Sequence, residues 1–397
     1  MKSLSILIAV MLICTTATAQ QALFGGQEII SPEIHANNTV TFRLMAPEAT
    51  KVSITGDFLP MQIRETPRGT SESPGVVDLT KNANGVWEFT TPAPLASELY
   101  NYSLIVNGVR ITDPNNPYSM RDIATVTSIF IIGGGIGDLF KVNNVPHGTV
   151  SRHWYHSPNL NLTRRVTIYT PPGYEASSEH YPVLYLLHGA GGDEEAWMAL
   201  GRASQVLDNL IAQGKAKPMI VVMTNGNAGQ TAAPGESDRG MYKPSFMGDT
   251  RMDGAFEAAF HDVMTFVESN YRTINTKAGR AIAGLSMGGF HSLHISKQYP
   301  DKFDYVGLFS SAIGIQQNVT SPVYDNFDGK LKKQFATPPK LYWVACGNTD
   351  FLYQANLDYV KMLADNKYPH VYRESDGGHI WKNWRIYLTE FLPMLFK

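Results

Sequence analysis

The sequence predicts an all-β domain followed by an α/β domain on a mostly parallel sheet, and three observations carry that reading. Residues from about 25 to 135 hold short runs that alternate polar and apolar side chains. From about 150 onward, solid apolar runs alternate with amphipathic stretches of helical period. Within that second part, Gly284-Leu285-Ser286-Met287-Gly288-Gly289 stands between the apolar run Arg280-Ala281-Ile282-Ala283 and a helical stretch, Phe290 to Tyr299, that stops at Pro300. A chain of 397 residues is long enough for two domains of ordinary size.

Residues 1–19 have the pattern of a cleaved export signal: Lys2 as charged start, Leu4 to Ile13 as apolar core, Ala17-Thr18-Ala19 as small-residue cleavage site. The core is too short to span a bilayer, and Ile13 occupies the place where a lipid-modified Cys14 needs a small neighbour. The expectation is a protein of the periplasm or the exterior with no membrane anchor. Removing the signal leaves Cys346 alone, so no internal disulfide forms and a large core must carry the stability. Cys346 lies in an apolar run, as a buried structural thiol does.

Residues 20–135 are expected to form an immunoglobulin-like β-sandwich. Its strands are Thr39 to Leu44, Lys51 to Ile54, Val86 to Phe89, Leu99 to Val106 and Ser128 to Ile131, with turn dipeptides at Asn84-Gly85 and Asn107-Gly108. Trp87, Tyr100 and Tyr102 are available as a sugar-binding face, but packing of the sandwich core is the preferred reading. Residues 136–150, with Gly133-Gly134-Gly135-Ile136-Gly137 before them and Val145-Pro146-His147-Gly148 within, read as a linker. A dinucleotide site is excluded there, since neither a helix nor an acidic partner follows at the right distance. No cofactor is expected. A net charge of −2 without a basic stripe excludes nucleic acid as a partner.

Residues 151–397 carry the α/β pattern. Strands are expected at Arg165 to Tyr169, Pro182 to Leu187, Met219 to Met223, Tyr305 to Phe309, Leu341 to Cys346 and His370 to Arg373. Ala203, Val206, Leu207, Leu210 and Ile211 share one helix face near 201–213, and Phe256, Phe260, Val263, Met264 and Val267 mark a second helix.

Strand, G-x-S-x-G, helix is the context of a nucleophile elbow in an α/β-hydrolase fold. A serine hydroxyl needs a base to take its proton, and the base needs an orienting acid. In this fold the order is Ser, acid, His, each beyond a strand's C-terminal end. Asp350, in the loop after Leu341 to Cys346, and His379, after the last strand, arrive in that order behind Ser286. Asp376 also lies near a strand end, but three residues before His379 it reads as a turn former. His291 and His294 read as packing or surface residues, and His188 precedes the serine and breaks the order. The developing oxyanion needs two backbone N–H donors. Met287 is expected to give one, and Gly189 or Ala190, in the loop after Leu187, the other. No metal-ligand spacing such as H-E-x-x-H occurs, so no metal is expected.

Leu187-His188-Gly189-Ala190-Gly191-Gly192-Asp193-Glu194-Glu195-Ala196-Trp197, Ala283 to Gly289, Gly378-His379 and Thr170-Pro171-Pro172-Gly173-Tyr174 resemble carbohydrate esterase family one over roughly residues 145–397. Asn38 to Asp57 and Asn101 to Pro117 resemble an early-set domain of carbohydrate-binding module family 48. The resemblance implies a secreted serine esterase with Ser286 as nucleophile, Asp350 as acid and His379 as base. It implies feruloylated or acetylated xylan, or their oligosaccharides, as substrate. The favoured ester is feruloyl, the alternative acetyl xylan, and a further alternative is a non-catalytic carbohydrate-binding protein. Asn225 to Asp253, with Tyr242 and Phe246, reads as a long loop over the substrate. Trp197, Trp381 and Trp384 are candidate substrate contacts, with core packing the competing role for each.

Overall fold

The computed structural model describes residues 29–66, 69–246, 252–314 and 320–397. The expected export signal and part of the Asn225 to Asp253 loop lie outside the described residues.

The N-terminal strands are β1 (Glu33–Ile34), β2 (Val40–Met45), β3 (Val52–Gly56), β4 (Met61–Thr66), β5 (Gly69–Pro74), β6 (Val76–Asp78), β7 (Thr80–Lys81), β8 (Val86–Thr90), β9 (Glu98–Val106), β10 (Val109–Ile111), β11 (Ser119–Asp122) and β12 (Thr125–Ile132). One sheet runs β1-β2-β8-β7, the facing one β11-β12-β9-β3-β6 with β10 paired to β9, and β4-β5 form a separate hairpin. Asn107 and Gly108 both take positive φ, 47° and 89°, as the two-residue turn between β9 and β10 requires. Phe42, Tyr102 and Phe130 meet edge to face between the sheets, at 4.8 to 5.8 Å between ring centroids. Trp87, Tyr100 and Tyr102 are all buried in this core, so they form no outward face.

The C-terminal elements are β13 (Thr149–Ser157), β14 (Leu162–Thr170), β15 (Val183–Leu187), α1 (Ala196–Ala199), α2 (Ala203–Ala212), β16 (Ile220–Thr224), α3 (Ala255–Ala258), α4 (Phe260–Asn270), β17 (Arg280–Leu285), α5 (Met287–Gln298), β18 (Tyr305–Phe309), α6 (Phe327–Ala336), β19 (Leu341–Gly347), α7 (Tyr353–Asp365), β20 (Val371–Ser375) and α8 (Trp381–Phe391). They build one sheet in the order β13-β14-β16-β15-β17-β18-β19-β20, antiparallel at β13-β14-β16 and parallel from β16 to β20. This is an α/β-hydrolase fold. Its central strands are buried on both sides, which is why they read as unbroken apolar runs. Period two still sorts their side chains. Leu184, Leu186, Ala283, Phe309 and Trp343 pack on one face with α2 and α8, while Val183, Tyr185, Ile282, Leu308 and Val344 pack on the other with α4, α6 and α7.

The structure corrects several expectations. The stretch read as a linker is packed: Ile136–Phe140 forms a 3₁₀ turn, Phe140 is fully buried beside Tyr169 and Leu207, and Thr149 already opens β13. Asn209 Nδ2 donates to the carbonyls of Leu139 and Lys141, each at 3.0 Å. Leu99 and Met120 of the β-domain enter the same apolar cluster as Leu200 and Trp384. Arg385, buried on α8, donates to Leu99 O at 2.9 Å and to Glu98 Oε1 at 3.4 Å. The two domains therefore share a core. The second amphipathic helix is broken into α3 and α4, and α5 begins at Met287 rather than Phe290. Two glycines hide that first turn from propensity, whereas the elbow forces it.

Candidate active site

Ser286 sits between the end of β17 and the start of α5 with φ 53° and ψ −115°, a region non-glycine residues avoid. The surrounding backbone holds it there. Its N–H donates to Phe309 O at 2.9 Å, and its carbonyl accepts from Phe290 N and Ala312 N, both at 3.0 Å. The glycines on either side are steric necessities. A Cβ at 284 would lie 2.4 Å from the Gly288 carbonyl carbon, and one at 288 would lie 2.4 Å from Leu187 O. The helix after the serine is thus pressed onto the neighbouring strand end.

His379 follows β20 and Asp350 follows β19. His379 Nδ1 donates to Asp350 Oδ2 at 2.8 Å, with Oδ1 at 3.0 Å. The Asp350 side chain is wholly buried, and Oδ1 also accepts from Leu352 N at 2.9 Å, so the carboxylate is oriented by the backbone. The imidazole lies between Phe351, 4.5 Å away, and Trp384, 4.8 Å away and nearly perpendicular. With Nδ1 committed, Nε2 is the free ring nitrogen, and Ser286 and His379 line one cavity of about 220 Å³. Asp376 is exposed, and its carboxylate accepts from Asn348 Nδ2 at 3.2 Å.

Gly189 and Ala190 line the same cavity. Met287 is the first residue of α5, where backbone N–H groups have no partner within the helix. His188 is buried and bridges two loops: Nδ1 donates to Gly189 O at 2.7 Å, and Nε2 accepts from Gly226 N at 2.8 Å. Burial pulls its pKa down to about 4, which keeps the ring neutral, as one donated and one accepted bond require. Gly192 N donates to the same Gly189 carbonyl at 3.1 Å. A trans peptide opposes its C=O and N–H, so anchoring the Gly189 carbonyl turns the Ala190 N–H the other way. His291 and His294 are buried in α5: Nδ1 of His291 lies 2.9 Å from Glu257 Oε1, and His294 packs on Phe290 and Tyr324.

The aromatic candidates divide. Trp381 and Trp384 line the cavity. Trp197 does not: it is 1% exposed, its indole N–H donates to Leu187 O at 2.9 Å, and its ring packs on Phe309 and Trp381. Trp197 is a core residue supporting the Gly189 loop, which corrects the expectation of a substrate contact. Phe246 of the long loop reaches the cavity, together with Ala196, Ala199 and Leu200.

One wall was not foreseen. Arg121, Asp122 and Ile123, from the β11–β12 hairpin of the N-terminal domain, line the same cavity as Ser286. Arg121 Nη2 donates to Asp193 Oδ2 at 2.7 Å, and the Trp381 indole hydrogen-bonds the Asp122 carboxyl, which burial raises above its ordinary range. Ile123 takes φ 52°, an outlying value for a β-branched residue, and its carbonyl accepts from Arg121 Nη1 at 2.8 Å. Its side chain lies over Gly191, where a Cβ would come within 2.9 Å of it. A four-residue strand leaves no readable period, so local pattern gave no warning. Phe351 was likewise missed, although an exposed aromatic directly after Asp350 is a signal that composition near a site can supply.

The family model named Esterase matches residues 157–395, and that of carbohydrate-binding module 48 (isoamylase N-terminal domain) matches residues 30–119. The chain is 26% identical over 376 residues to an endo-1,4-beta-xylanase/feruloyl esterase of Xylanibacter ruminicola, covering 94% of this chain and 46% of that one. It thus spans about half the length of that relative. An acetyl esterase of Caldicellulosiruptor saccharolyticus is 24% identical over 252 residues, covering 56% of this chain and 86% of that one. The solved CE1 ferulic acid esterase of Anaeromyces mucronatus superposes with a TM-score of 0.54 at 24% identity, covering 64% of this chain and 93% of that one, and shows the same fold. The chain belongs to the Esterase family, whose model covers most of its length, and that part is preceded by a stretch that matches carbohydrate-binding module 48.

Proposed function

We propose that this esterase releases ferulate from feruloylated arabinoxylan or its oligosaccharides by a two-step acyl transfer. The observation that carries the reading is the cavity shared by Ser286 and His379, with His379 held by Asp350. His379 Nε2 takes the Ser286 proton as the hydroxyl attacks the ester carbonyl. Asp350 keeps the ring in the tautomer this requires and offsets its charge. The N–H groups of Met287 and of Ala190 or Gly189 stabilise the oxyanion. His379 then protonates the leaving alcohol, and water frees the acid by the same route.

The cavity favours feruloyl over acetyl. Its 220 Å³, walled by Ala196, Leu200, Phe246 and Trp384, suit a flat aromatic acyl group, most of which an acetyl group would leave empty. Arg121, Asp122 and Asp193 offer polar partners to a phenol within it. Residues 1–19 serve as an export signal, which a mature N-terminus near residue 20 in secreted protein would establish.

The test is hydrolysis of methyl ferulate beside acetylated xylan. Ferulate release is expected, with kcat about 10⁴–10⁶-fold lower in Ser286→Ala. Acetate release alone makes the protein an acetyl xylan esterase, and near-normal activity of Ser286→Ala removes the serine from the mechanism.

A further inference from the structure

The β11–β12 hairpin turns in two residues: Asp122 pairs with Thr125, and Ile123-Ala124 lie between them. Ile123 takes φ 52° while Ala124 stays out of the positive region, the pattern of a type II′ turn. Such a turn favours glycine at its first central position, because a Cβ there approaches the following carbonyl oxygen. The same domain meets this kind of demand elsewhere, turning β9 into β10 with Asn107-Gly108. Isoleucine is poorly suited to the place, since its branched Cβ crowds the backbone further. Among the described residues it is the only β-branched one with positive φ.

Core burial does not offset this strain. Ile123 is only partly buried, and the apolar cores of the described residues leave it out. The turn is held from outside instead. Arg121 clamps the Ile123 carbonyl with one guanidinium nitrogen and Asp193 with the other, and Trp381 holds Asp122. Strain maintained by its surroundings in this way gathers at functional positions. Here the position is the active-site cavity, whose lining holds two non-glycine residues with positive φ, Ser286 and Ile123. The branched side chain also meets the Gly189–Gly192 loop. A Cβ at Gly191 would lie 2.9 Å from Ile123 Cδ1 and 3.1 Å from Phe246 Cα, so glycine there leaves room for both walls.

We propose that Ile123 is a specificity-determining residue for the acyl group. Its turn gives up folding stability to hold a branched apolar side chain as a wall of the acyl cavity. An extended aromatic acyl group, of the hydroxycinnamoyl class, packs against that wall, and a short one does not. A glycine would satisfy the turn and leave no wall. The choice of ester as aromatic rests on the feruloyl reading above; the role of residue 123 in reading the acyl group is tested apart from it.

The experiment compares 4-nitrophenyl ferulate with 4-nitrophenyl acetate, which share a leaving group, in wild type, Ile123→Gly and Val126→Ala. Val126 is exposed on the same hairpin and serves as the control. Ile123→Gly is expected to lower the ferulate-to-acetate ratio of kcat/KM by about tenfold or more. Its Tm is expected to equal that of wild type or to exceed it by up to about 3 °C, because glycine relieves the turn. Val126→Ala should keep the ratio within about twofold. An unchanged ratio in Ile123→Gly overturns the assignment, and so does a Tm more than about 3 °C below wild type, which makes Ile123 a packing residue. A wild type that prefers the acetate overturns the feruloyl reading alone. Ile123 is then judged by the same tenfold fall of the ratio, its absence overturning the assignment. Calorimetry with free ferulate reads the contact without turnover: binding about tenfold weaker in Ile123→Gly supports it, and equal binding overturns it.

Discussion

The two walls of the active-site cavity are made by different means. The catalytic wall hangs from the parallel sheet. Leu285 pairs with Phe309, Phe309 with Ala345, and Gly347 with Ser375, so Ser286, Asp350 and His379 leave adjacent or nearby strands at one edge. The second wall, Arg121 to Ile123, comes from a hairpin of another domain, held by an ion pair to Asp193 and a hydrogen bond from Trp381. A sheet edge positions chemistry through backbone register, which side-chain changes alter little. A docked hairpin is held in place through a few side chains, which can change one at a time.

Substitutions on the sheet edge should do most damage. Asp350→Asn is expected to lower kcat by about 10³–10⁴-fold, as loss of the tautomer-setting acid does in other triads, while Asp376→Asn stays within about threefold. The reverse ranking in steady-state kinetics would move the acid to Asp376 and detach it from the β19 edge. His188→Ala is expected to lower kcat about 10²-fold with KM within about threefold, because it frees the Gly189 carbonyl rather than the acyl cavity. A rise in KM with kcat intact would make His188 a wall residue.

His188 also gives a signed pH dependence. Its folded pKa, about 4, lies below the ordinary histidine value of 6.5, so the unfolded chain binds the proton first. The stability it contributes is complete above pH 6.5 and is lost as pH falls from 6.5 toward 4. Thermal melts over that window should fall by several degrees in wild type and less steeply in His188→Asn.

Smaller effects belong to the hairpin wall and its support. Arg121→Ala, which breaks the pair with Asp193, should raise KM for methyl ferulate about threefold to tenfold with kcat within about twofold. A kcat loss as large as that of His188→Ala would show that the hairpin serves the Gly189 loop instead of the substrate. Trp197→Phe should leave KM unchanged but cost about 1–3 kcal/mol, since it strips a buried hydrogen bond from Leu187 O. A shift of KM without loss of Tm would return Trp197 to the cavity.

How much of this was legible follows the same divide. The apolar runs at Val183–Leu187, Tyr305–Phe309 and Leu341–Gly347 announced the central strands because burial on both faces leaves few polar residues in them. The helices α6, α7 and α8 went unread: each buries only one face and mixes it with Lys, Asp and Asn, so its period is diluted. The 3₁₀ turn after the glycine run passed for a joint, since glycine content signals a bend whether the bend is packed or free. Trp197 and Trp381 are chemically alike in sequence, and only their surroundings separate a core residue from a cavity wall.

By itself the sequence determined the order of domains, the elbow with its two obligatory glycines, and the succession Ser286, Asp350, His379, because each depends on local sterics or on chain order along a sheet. Only the tertiary structure decided that Ile123 and Arg121 line the same cavity as Ser286, and that Trp197 lies in the core and outside that cavity. Those facts depend on how two independently patterned domains dock. Docking rests on scattered side chains, Arg385 on Leu99 and Arg121 on Asp193, whose spacing along the chain carries no period.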